Sequence, residues 1–257
     1  MNEIKTLLEA SQLDKSYGKI RVLRDVNLTI AAGESHVVIG PNGAGKTTLF
    51  KVLTGELYAD RGFVRFNGED ITRMPAYERV NRGFGRTFQV AKVFTKLSVQ
   101  DNLLVALEAR VRKKNPLARV SRQDAAHFPG AIDELLADTG LDAHRASISG
   151  TLAYGDRKRL EMAMVLALEP TVLFLDEPTA GMSAAERHAT VQLLQSVKRK
   201  RSLSMLMTEH DMDVVFGLAD RISVLHYGQL IASGTPEQIR QNESVKEVYL
   251  GHGDDDA

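Results

Sequence analysis

The spacing of apolar and polar residues along the chain predicts a mixture of strands and helices. Over the first 35 residues short polar and apolar stretches alternate, which predicts antiparallel strands around residues 7–13 and 22–30. Turn residues at Tyr17-Gly18 and Ala32-Gly33 lie before and after the second of these strands. The continuous apolar run at residues 172–175 is typical of a strand that is buried on both faces.

The rest of the chain alternates between helical and strand spacing. Shorter apolar runs predict strands over residues 35–39, 62–66, 203–207 and 221–225. Helical spacing predicts helices over residues 46–54, 98–112, 131–138, 156–168, 184–200 and 212–218. Residues 113–129 are polar and irregular, and we expect them to form a surface excursion. The alternation of helix and strand after residue 172 predicts a largely parallel sheet that is covered by helices.

Composition excludes several classes of function. The 257 residues include 33 lysines and arginines and 33 aspartates and glutamates, so the formal net charge of zero gives no basic footprint for nucleic acid. The absence of cysteine excludes disulfides, thiolate metal sites and cysteine nucleophiles. Residues 162–168, the longest apolar run, fall short of the roughly 20 residues that a membrane-spanning helix needs. Because the first residues also lack a secretion signal, we expect a cytosolic protein that could act at a membrane through a partner.

The strongest chemical signal is a run of nine residues between a predicted strand and a predicted helix. It fits the pattern G-x-x-x-x-G-K-[ST], in which glycines let backbone N–H groups curl around phosphate oxygens. Lys46 is expected to reach the β- and γ-phosphates of a nucleotide, and the Thr47 hydroxyl to ligate Mg²⁺. The predicted nucleotide-binding residues are Gly40, Pro41, Asn42, Gly43, Ala44, Gly45, Lys46, Thr47 and Thr48.

A second signal is the pair of carboxylates at the end of the buried run 172–175. Asp176 follows this predicted strand directly, and a parallel sheet can deliver such a carboxylate to Mg²⁺ beside the phosphates. Glu177 comes next and is expected to polarise an attacking water. The two motifs lie on separate strands of one predicted sheet and therefore support each other.

Together these motifs resemble the ATP-binding subunit of ABC transporters over about residues 5–250. The resemblance implies that Tyr17 stacks on adenine and that His210 contacts the γ-phosphate. It also implies that Gln89, in the run Arg-Thr-Phe-Gln, senses Mg²⁺ and the γ-phosphate. The predicted catalytic residues are then Glu177, His210 and Gln89, and the predicted Mg²⁺ ligands are Thr47, Gln89 and Asp176.

The resemblance also implies a fold and its division. We expect one α/β domain over residues 1–257, with a P-loop NTPase core built on a mainly parallel sheet and an N-terminal antiparallel β subdomain. Residues 5–89 and 166–235 would form this core with its β subdomain. Residues 90–165 would form an inserted helical subdomain, and residues 236–257 a C-terminal helix and tail.

The chain departs from the family at the segment that contacts a partner's ATP. The commonest form of this signature is Leu-Ser-Gly-Gly-Gln, whereas here Ala153 replaces the serine, Tyr154 the first glycine and Asp156 the glutamine. Ala153, Tyr154 and Gly155 remain the residues expected to face the nucleotide, with Gly155 and backbone donors as the remaining polar contacts. Ser183 stands where the family usually has an aspartate in a cross-dimer loop.

These departures resemble one branch of the family, the larger ATPase of branched-chain amino-acid importers. That resemblance implies ATP hydrolysis that powers import of a small, amino-acid-like solute through a separate permease docked near residues 89–97. The other expected partners are a second ABC ATPase, in a heterodimer or a homodimer, and, indirectly, a periplasmic solute-binding protein. The expected location is the cytoplasmic face of the cell membrane. Two alternatives are a lipopolysaccharide-export ATPase, which shares the ending at residues 245–251, and a soluble non-transport ATPase of the superfamily.

Overall fold

Two β-sheets organise the computed structural model, which describes residues 5–87, 91–113 and 119–250. The strands are β1 (Thr6–Tyr17), β2 (Ile20–Ala31), β3 (Ser35–Ile39), β4 (Arg61–Phe66), β5 (Glu69–Asp70), β6 (Phe84–Arg86), β7 (Val172–Asp176), β8 (Ser204–Thr208), β9 (Arg221–His226) and β10 (Gln229–Gly234). The helices are α1 (Lys46–Thr54), α2 (Ala76–Asn81), α3 (Val99–Arg112), α4 (Arg122–Thr139), α5 (Tyr154–Leu166), α6 (Ala184–Arg201), α7 (Met212–Leu218), α8 (Pro236–Gln241) and α9 (Glu243–Leu250).

The two sheets differ in strand direction. The first has the order β2-β1-β4-β5 and is antiparallel throughout. The second has the order β10-β9-β3-β8-β7-β6, and all neighbours in it are parallel except β10 and β9. The predicted α/β fold, with a mainly parallel sheet and an N-terminal antiparallel sheet, is confirmed.

The parallel sheet lies between two apolar cores because most residues of its central strands are apolar and buried. On one face Val37, Leu173 and Met205 pack with the helices α3, α4, α5 and α6. On the other face Val38 and Phe174 pack with α1 and the antiparallel sheet. Phe174 also stacks on Phe84 of β6, with ring centroids 5.0 Å apart. Burial on both faces explains why these strands lack the alternation of a half-exposed strand.

The region after α3 contains a predicted segment that the structure contradicts. Residues 113–129 were expected to be an irregular excursion, but α4 begins at Arg122 and runs through Pro129. Ser121 and Asp124 form a capping box that starts the helix, since each side chain accepts a hydrogen bond from the other residue's backbone. Phe128 and Ile132 are buried in the core, which offsets the hydrogen bond that Pro129 cannot donate.

Smaller differences concern element bounds and edge strands. Helix α5 begins at Tyr154 and ends at Leu166, two residues earlier at each end than predicted. The C-terminal region contains two short helices, α8 and α9, where one helix was expected. The short edge strands β5 and β6, the helix α2 and the edge strand β10 were not predicted, because none of them carries a long apolar run.

Asp138 joins α4, which with α3 and α5 forms the helical region (residues 99–166), to the last turn of α6. Its carboxylate accepts hydrogen bonds from Arg201 Nε at 2.9 Å and Nη2 at 2.6 Å, and from Lys200 Nζ at 2.6 Å. Both cations lie in the last turn of α6, and the Asp138 side chain is 5% exposed. Burial by itself raises the pKa of Asp138, but the hydrogen bonds from Lys200 and Arg201 outweigh it and hold the pKa below its ordinary value.

We expect Asp138→Asn to lower the free energy of unfolding by about 1.5–3 kcal/mol at pH 7, because it removes charge-assisted hydrogen bonds. A carboxyl with a lowered pKa stabilises the fold above its unfolded pKa, and this stabilisation is lost as the pH falls through the folded pKa. The difference between wild type and variant should therefore shrink in urea unfolding at acidic pH. The control is Asp133→Asn, because Asp133 also lies on α4 but forms only an exposed ion pair with Arg145. This variant should lower the free energy of unfolding by less than about 1 kcal/mol. Equal losses for the two variants would contradict the bridging role of Asp138.

Candidate functional site

The carboxyl ends of β3, β7 and β8 bring three predicted motifs to one edge of the parallel sheet. The loop 40–48 follows β3, Asp176 and Glu177 stand at the end of β7, and His210 follows β8. Glu177 lines the same cleft as residues 42–48 of the loop. Ligands of open α/β sheets bind at this edge, so the fold places these residues where a nucleotide site is expected.

The loop 40–48 is held tightly between strands of both sheets. A Cβ atom on Gly40 would lie 2.2 Å from the carbonyl oxygen of Leu225, and one on Gly45 would lie 2.9 Å from that of Val22. Gly45 immediately precedes α1 and has a φ of 108°, a backbone conformation that residues with a side chain rarely adopt. The turn after β9 adds a backbone hydrogen bond from the Gly228 N–H to the Ala44 carbonyl.

Lys46 is the first residue of α1 and turns its side chain back into the loop. Its Nζ donates hydrogen bonds to the carbonyls of Gly40 at 2.6 Å and Pro41 at 3.1 Å, and the residue is 7% exposed. Burial lowers the pKa of Lys46, while the charges of Glu177 and Asp176 act in the opposite direction. The ammonium therefore stands inside the cradle and faces both predicted carboxylates.

Asp176 is fixed by contacts to both of its carboxylate oxygens. Oδ1 accepts a hydrogen bond from Thr208 Oγ1 at 2.7 Å, and Oδ2 lies 4.0 Å from Arg86 Nη2. Arg86 is itself paired with Glu56 and donates to Thr54 Oγ1 at 3.0 Å. Burial lowers the pKa of Arg86, against the effect of the Asp176 charge.

The donor set at this edge fits Mg²⁺. A carboxylate at Asp176 and a hydroxyl at Thr47 are the hard oxygen ligands that Mg²⁺ prefers, and a Mg²⁺ bound with phosphates takes only one or two ligands from the protein. Within the described residues no group of three or more histidines and carboxylates is arranged to hold a metal by itself. Thr47 and Asp176 would supply two of the ligands of an ion that arrives with a phosphate.

Glu177 and His210 are in direct contact. His210 Nε2 lies 2.9 Å from Glu177 Oε1, although the residues are 33 positions apart in the chain. Glu177 has a φ of 48°, and this backbone conformation turns the chain sharply after β7. Its N–H donates a hydrogen bond to the Thr208 carbonyl at 3.1 Å. Strained backbone of this kind in a non-glycine residue is concentrated at functional sites.

The altered signature forms the start of α5. Ala153 is the N-cap, and since it has no hydrogen-bonding side chain, no side chain caps the first turn at that position. Tyr154 is 39% exposed, and a Cβ on Gly155 would lie 3.4 Å from Glu186 Oε1 of α6. Asp156 in the same turn faces Arg159 at 3.8 Å and His144 at 3.7 Å. This end of α5 belongs to the helical region, which packs on the opposite side of the sheet from α1.

Ser183, at the position where the family usually has an aspartate, caps a helix. It is the N-cap of α6, and its hydroxyl accepts from the Glu186 N–H at 3.4 Å. The Glu186 carboxylate in turn accepts from the Ser183 N–H at 2.8 Å and hydroxyl at 2.7 Å. The side chain is therefore engaged within its own chain as a capping box.

The roles predicted for Gln89 and Tyr17 are not tested by the structure. Gln89 lies outside the described residues, so its roles stay predictions. Tyr17 ends β1 and is 48% exposed, with Ile20 as its partner across the hairpin. Val22, two residues farther along β2, lines the cleft beside the loop 42–48, so this hairpin lies near the nucleotide site.

Sequence reasoning missed three residues that hold the site together: Arg86, Thr208 and Glu209. Thr208 bonds to Asp176, and the buried carboxylate of Glu209 bonds to the residues around Glu177 and His210. Their positions carried a signal, since Thr208 and Glu209 stand between a buried strand and His210. Arg86 stands three residues before Gln89.

None of the described helices combines the length and apolar character needed to cross a bilayer.

Comparison with known protein families gives two matches. The model of the family described as ABC transporter matches residues 23–180. A second, described as branched-chain amino acid ATP-binding cassette transporter, matches residues 229–255.

Curated relatives match along nearly their whole length. The high-affinity branched-chain amino acid transport ATP-binding protein BraF of Pseudomonas aeruginosa is 35% identical, over 96% of this chain and 98% of the relative. The lipopolysaccharide export system ATP-binding protein LptB of Escherichia coli K12 is 36% identical, over 95% of this chain and 97% of the relative.

Solved structures show the same fold. An ATP-binding cassette of an ABC transporter in its ADP conformation has a TM-score of 0.82 and 28% identity, and the match covers 96% of this chain and 99% of that chain. A nucleotide-free ATP-binding cassette from an ABC transporter has a TM-score of 0.81 at 28% identity, with 95% and 98% covered.

Proposed function

The chain belongs to the ABC transporter family as an ATP-binding, ATP-hydrolysing subunit, and from this premise we propose that it powers import of branched-chain or related amino acids through a separate membrane permease. The match of residues 229–255 to the branched-chain amino-acid cassette family supports this substrate class. The relative BraF, similar over nearly the whole chain, supports it as well. The proposed location is the cytoplasmic face of the membrane, where the permease would hold the subunit.

The contact between Glu177 and His210 is the observation that carries the proposed chemistry. The loop N–H groups and the Lys46 ammonium bind the phosphates, and Thr47 and Asp176 would hold Mg²⁺. Mg²⁺, when bound, neutralises charge between the β- and γ-phosphates. Glu177 accepts the proton of the attacking water, and His210, 2.9 Å from its carboxylate, orients it and faces the γ-phosphate. Gln89 and Tyr17 keep the Mg²⁺-sensing and adenine-stacking roles in this proposal.

Each ATP site is completed by a second ATPase, which closes head-to-tail on the first. The observation that supports this is the start of α5, where exposed Tyr154 and the first-turn N–H groups have no cap from the Ala153 side chain. A helix N-terminus of this kind suits a phosphate. Asp156 adds a negative charge in the same turn, which Arg159 and His144 partly balance.

The permease docks beside residues 91–97, on the described part of the segment expected from the sequence. Phe94 is 51% exposed, whereas its backbone is held by Asn102 and Ser149. Ile148, which pairs with Ser98 in an isolated bridge, is 46% exposed as well. Exposed apolar side chains on a backbone fixed by hydrogen bonds are suited to receive a partner.

Lipopolysaccharide-type export is the second candidate, and the similarity to LptB favours it. The experiment that separates the two candidates joins this chain with a branched-chain amino-acid permease and its binding protein in proteoliposomes. We expect ATP-dependent uptake of radiolabelled leucine that requires the binding protein. Absence of uptake, together with ATP-dependent extraction of lipopolysaccharide in a parallel assay, would overturn the import proposal.

Ala153→Ser is expected to strengthen dimer closure. The serine hydroxyl would add a hydrogen bond to a charged phosphate, worth about 1.5–3 kcal/mol, or roughly ten-fold or more in closure affinity. For the wild type we expect weak self-association and low ATPase activity that rises when its partner subunits are added. The measurement is ATP turnover against chain concentration, alone and in the reconstituted complex, with Ala137→Ser on the exposed face of α4 as control. Full wild-type activity without partners would contradict this dependence.

A further inference from the structure

Glu209 is a buried carboxylate to which neither the sequence nor the proposed chemistry gives a role. It lies directly after β8 and directly before His210, and it is 3% exposed. Burial of an ionised group in a protein interior is costly unless hydrogen bonds satisfy it. The partners of its oxygens therefore show what its position is for.

Three hydrogen bonds satisfy the Glu209 carboxylate, and all three donors are uncharged. Oε1 accepts from the Thr179 N–H at 3.0 Å and from the Thr179 hydroxyl at 2.6 Å. Oε2 accepts from the His210 N–H at 3.1 Å. One oxygen is thus committed to the turn after β7, and the other to the turn after β8.

These contacts join the two groups that the proposed mechanism uses. Thr179 stands two residues after Glu177, in a turn closed by the Ala180 N–H on the Glu177 carbonyl at 3.1 Å. His210 reaches back to Glu177 with its ring. The chain between Glu177 and Thr179, the Glu209 carboxylate and the imidazole of His210 therefore form a closed ring of contacts.

We propose that Glu209 is a positioning residue that sets the distance between the Glu177 carboxylate and the His210 imidazole during ATP hydrolysis. This proposal rests on the proposed roles of Glu177 and His210. Glu209 contacts neither the nucleotide nor the water. It acts by fixing the two turns from which the reacting groups project, and small displacements of such groups reduce rates strongly.

A carboxylate is the side chain that this arrangement requires. It presents acceptors on both oxygens, whereas glutamine has one acceptor oxygen and one amide that only donates. In Glu209→Gln the amide group must face either the Thr179 donors or the His210 N–H, so one donor would always meet another donor. Glu209→Asp keeps both acceptor oxygens on a shorter side chain.

The test compares kcat, the KM for ATP and ATP affinity in the full chain assembled with its permease. For Glu209→Gln we expect kcat to fall about ten- to a hundred-fold, while the affinity for a fluorescent ATP analogue stays within about two-fold. Glu209→Asp should recover a large part of the kcat. Glu9→Gln is the matched control for the loss of one carboxylate. Glu9 lies on β1 of the antiparallel sheet, distant in sequence from the site, so this variant should keep wild-type kinetics.

Each result has one meaning. A wild-type kcat in Glu209→Gln, or a loss of ATP affinity as large as the loss of kcat, would overturn the positioning role. If Glu209→Gln does not fold, Thr179→Val decides, since it removes one hydroxyl donor to Glu209 and keeps the carboxylate. A kcat reduced at unchanged ATP affinity supports the role, and a wild-type kcat overturns it. Glu177→Gln serves as the reference for the chemistry itself. If that variant also kept full turnover, the proposed roles of Glu177 and His210 would fail, and not only the positioning role of Glu209.

Discussion

Lys46→Ala is expected to abolish ATP binding. The Lys46 ammonium lies inside the loop 40–48, where it bonds to two loop carbonyls and faces Asp176 and Glu177. Without it the phosphates would meet backbone donors and two uncompensated carboxylates. Loss of the two hydrogen bonds that the ammonium is expected to donate to the β- and γ-phosphates corresponds to about 3–6 kcal/mol. The affinity for ATP would then be at least about a hundred-fold weaker.

The measurement is equilibrium binding of ATP with Mg²⁺ by calorimetry. Lys51→Ala is the matched control, since Lys51 lies on the same helix in its last turn and should leave the affinity unchanged. Thermal unfolding of both variants separates loss of the ligand from loss of the fold. An Lys46→Ala protein that binds ATP as tightly as wild type would contradict the assignment of the phosphate loop.

Glu177→Gln is expected to keep ATP binding and to lose nearly all turnover. The amide preserves the shape of the side chain but cannot take the proton of an attacking water, and loss of a general base costs typically 10²–10⁴-fold in rate. The variant should therefore accumulate an ATP-bound dimer, visible by size-exclusion chromatography when the partner ATPase is present.

The control for this variant is Glu237→Gln in the first turn of α8, which removes a carboxylate away from the cleft and should retain wild-type turnover. Phosphate release and nucleotide affinity are measured on the same preparations. Turnover at the wild-type rate in Glu177→Gln would move the general base to another residue.

The sequence predicted the parts of the site that depend on neighbouring residues. The bounds of β3 and α1 agree with the prediction, because an apolar strand, a glycine-rich turn and a helix start follow one another within twenty residues. The prediction was wrong over residues 122–129, because this segment is polar and lacks a regular apolar pattern. The capping box at Ser121 and the burial of Phe128 instead sustain the helix.

The contacts that hold the site together could not be predicted, because they join residues that are distant in the chain. Glu209 meets Thr179 across 30 positions only because β7 and β8 are neighbours in the sheet. Arg86 likewise approaches Asp176 because β6 pairs with β7. Hydrophobic spacing indicates that these strands exist, but it does not indicate their order, and the order decides which polar residues meet.

The glycines of the phosphate loop have a thermodynamic consequence. Gly40 and Gly45 lie so close to the Leu225 and Val22 carbonyls that the loop has little room for alternative conformations, and the Gly228 N–H ties it further. The conformational entropy of this segment is lost when the chain folds, since both sheets must be in place to confine it. ATP therefore meets a preorganised cradle, and its binding free energy is not reduced by the cost of ordering the loop.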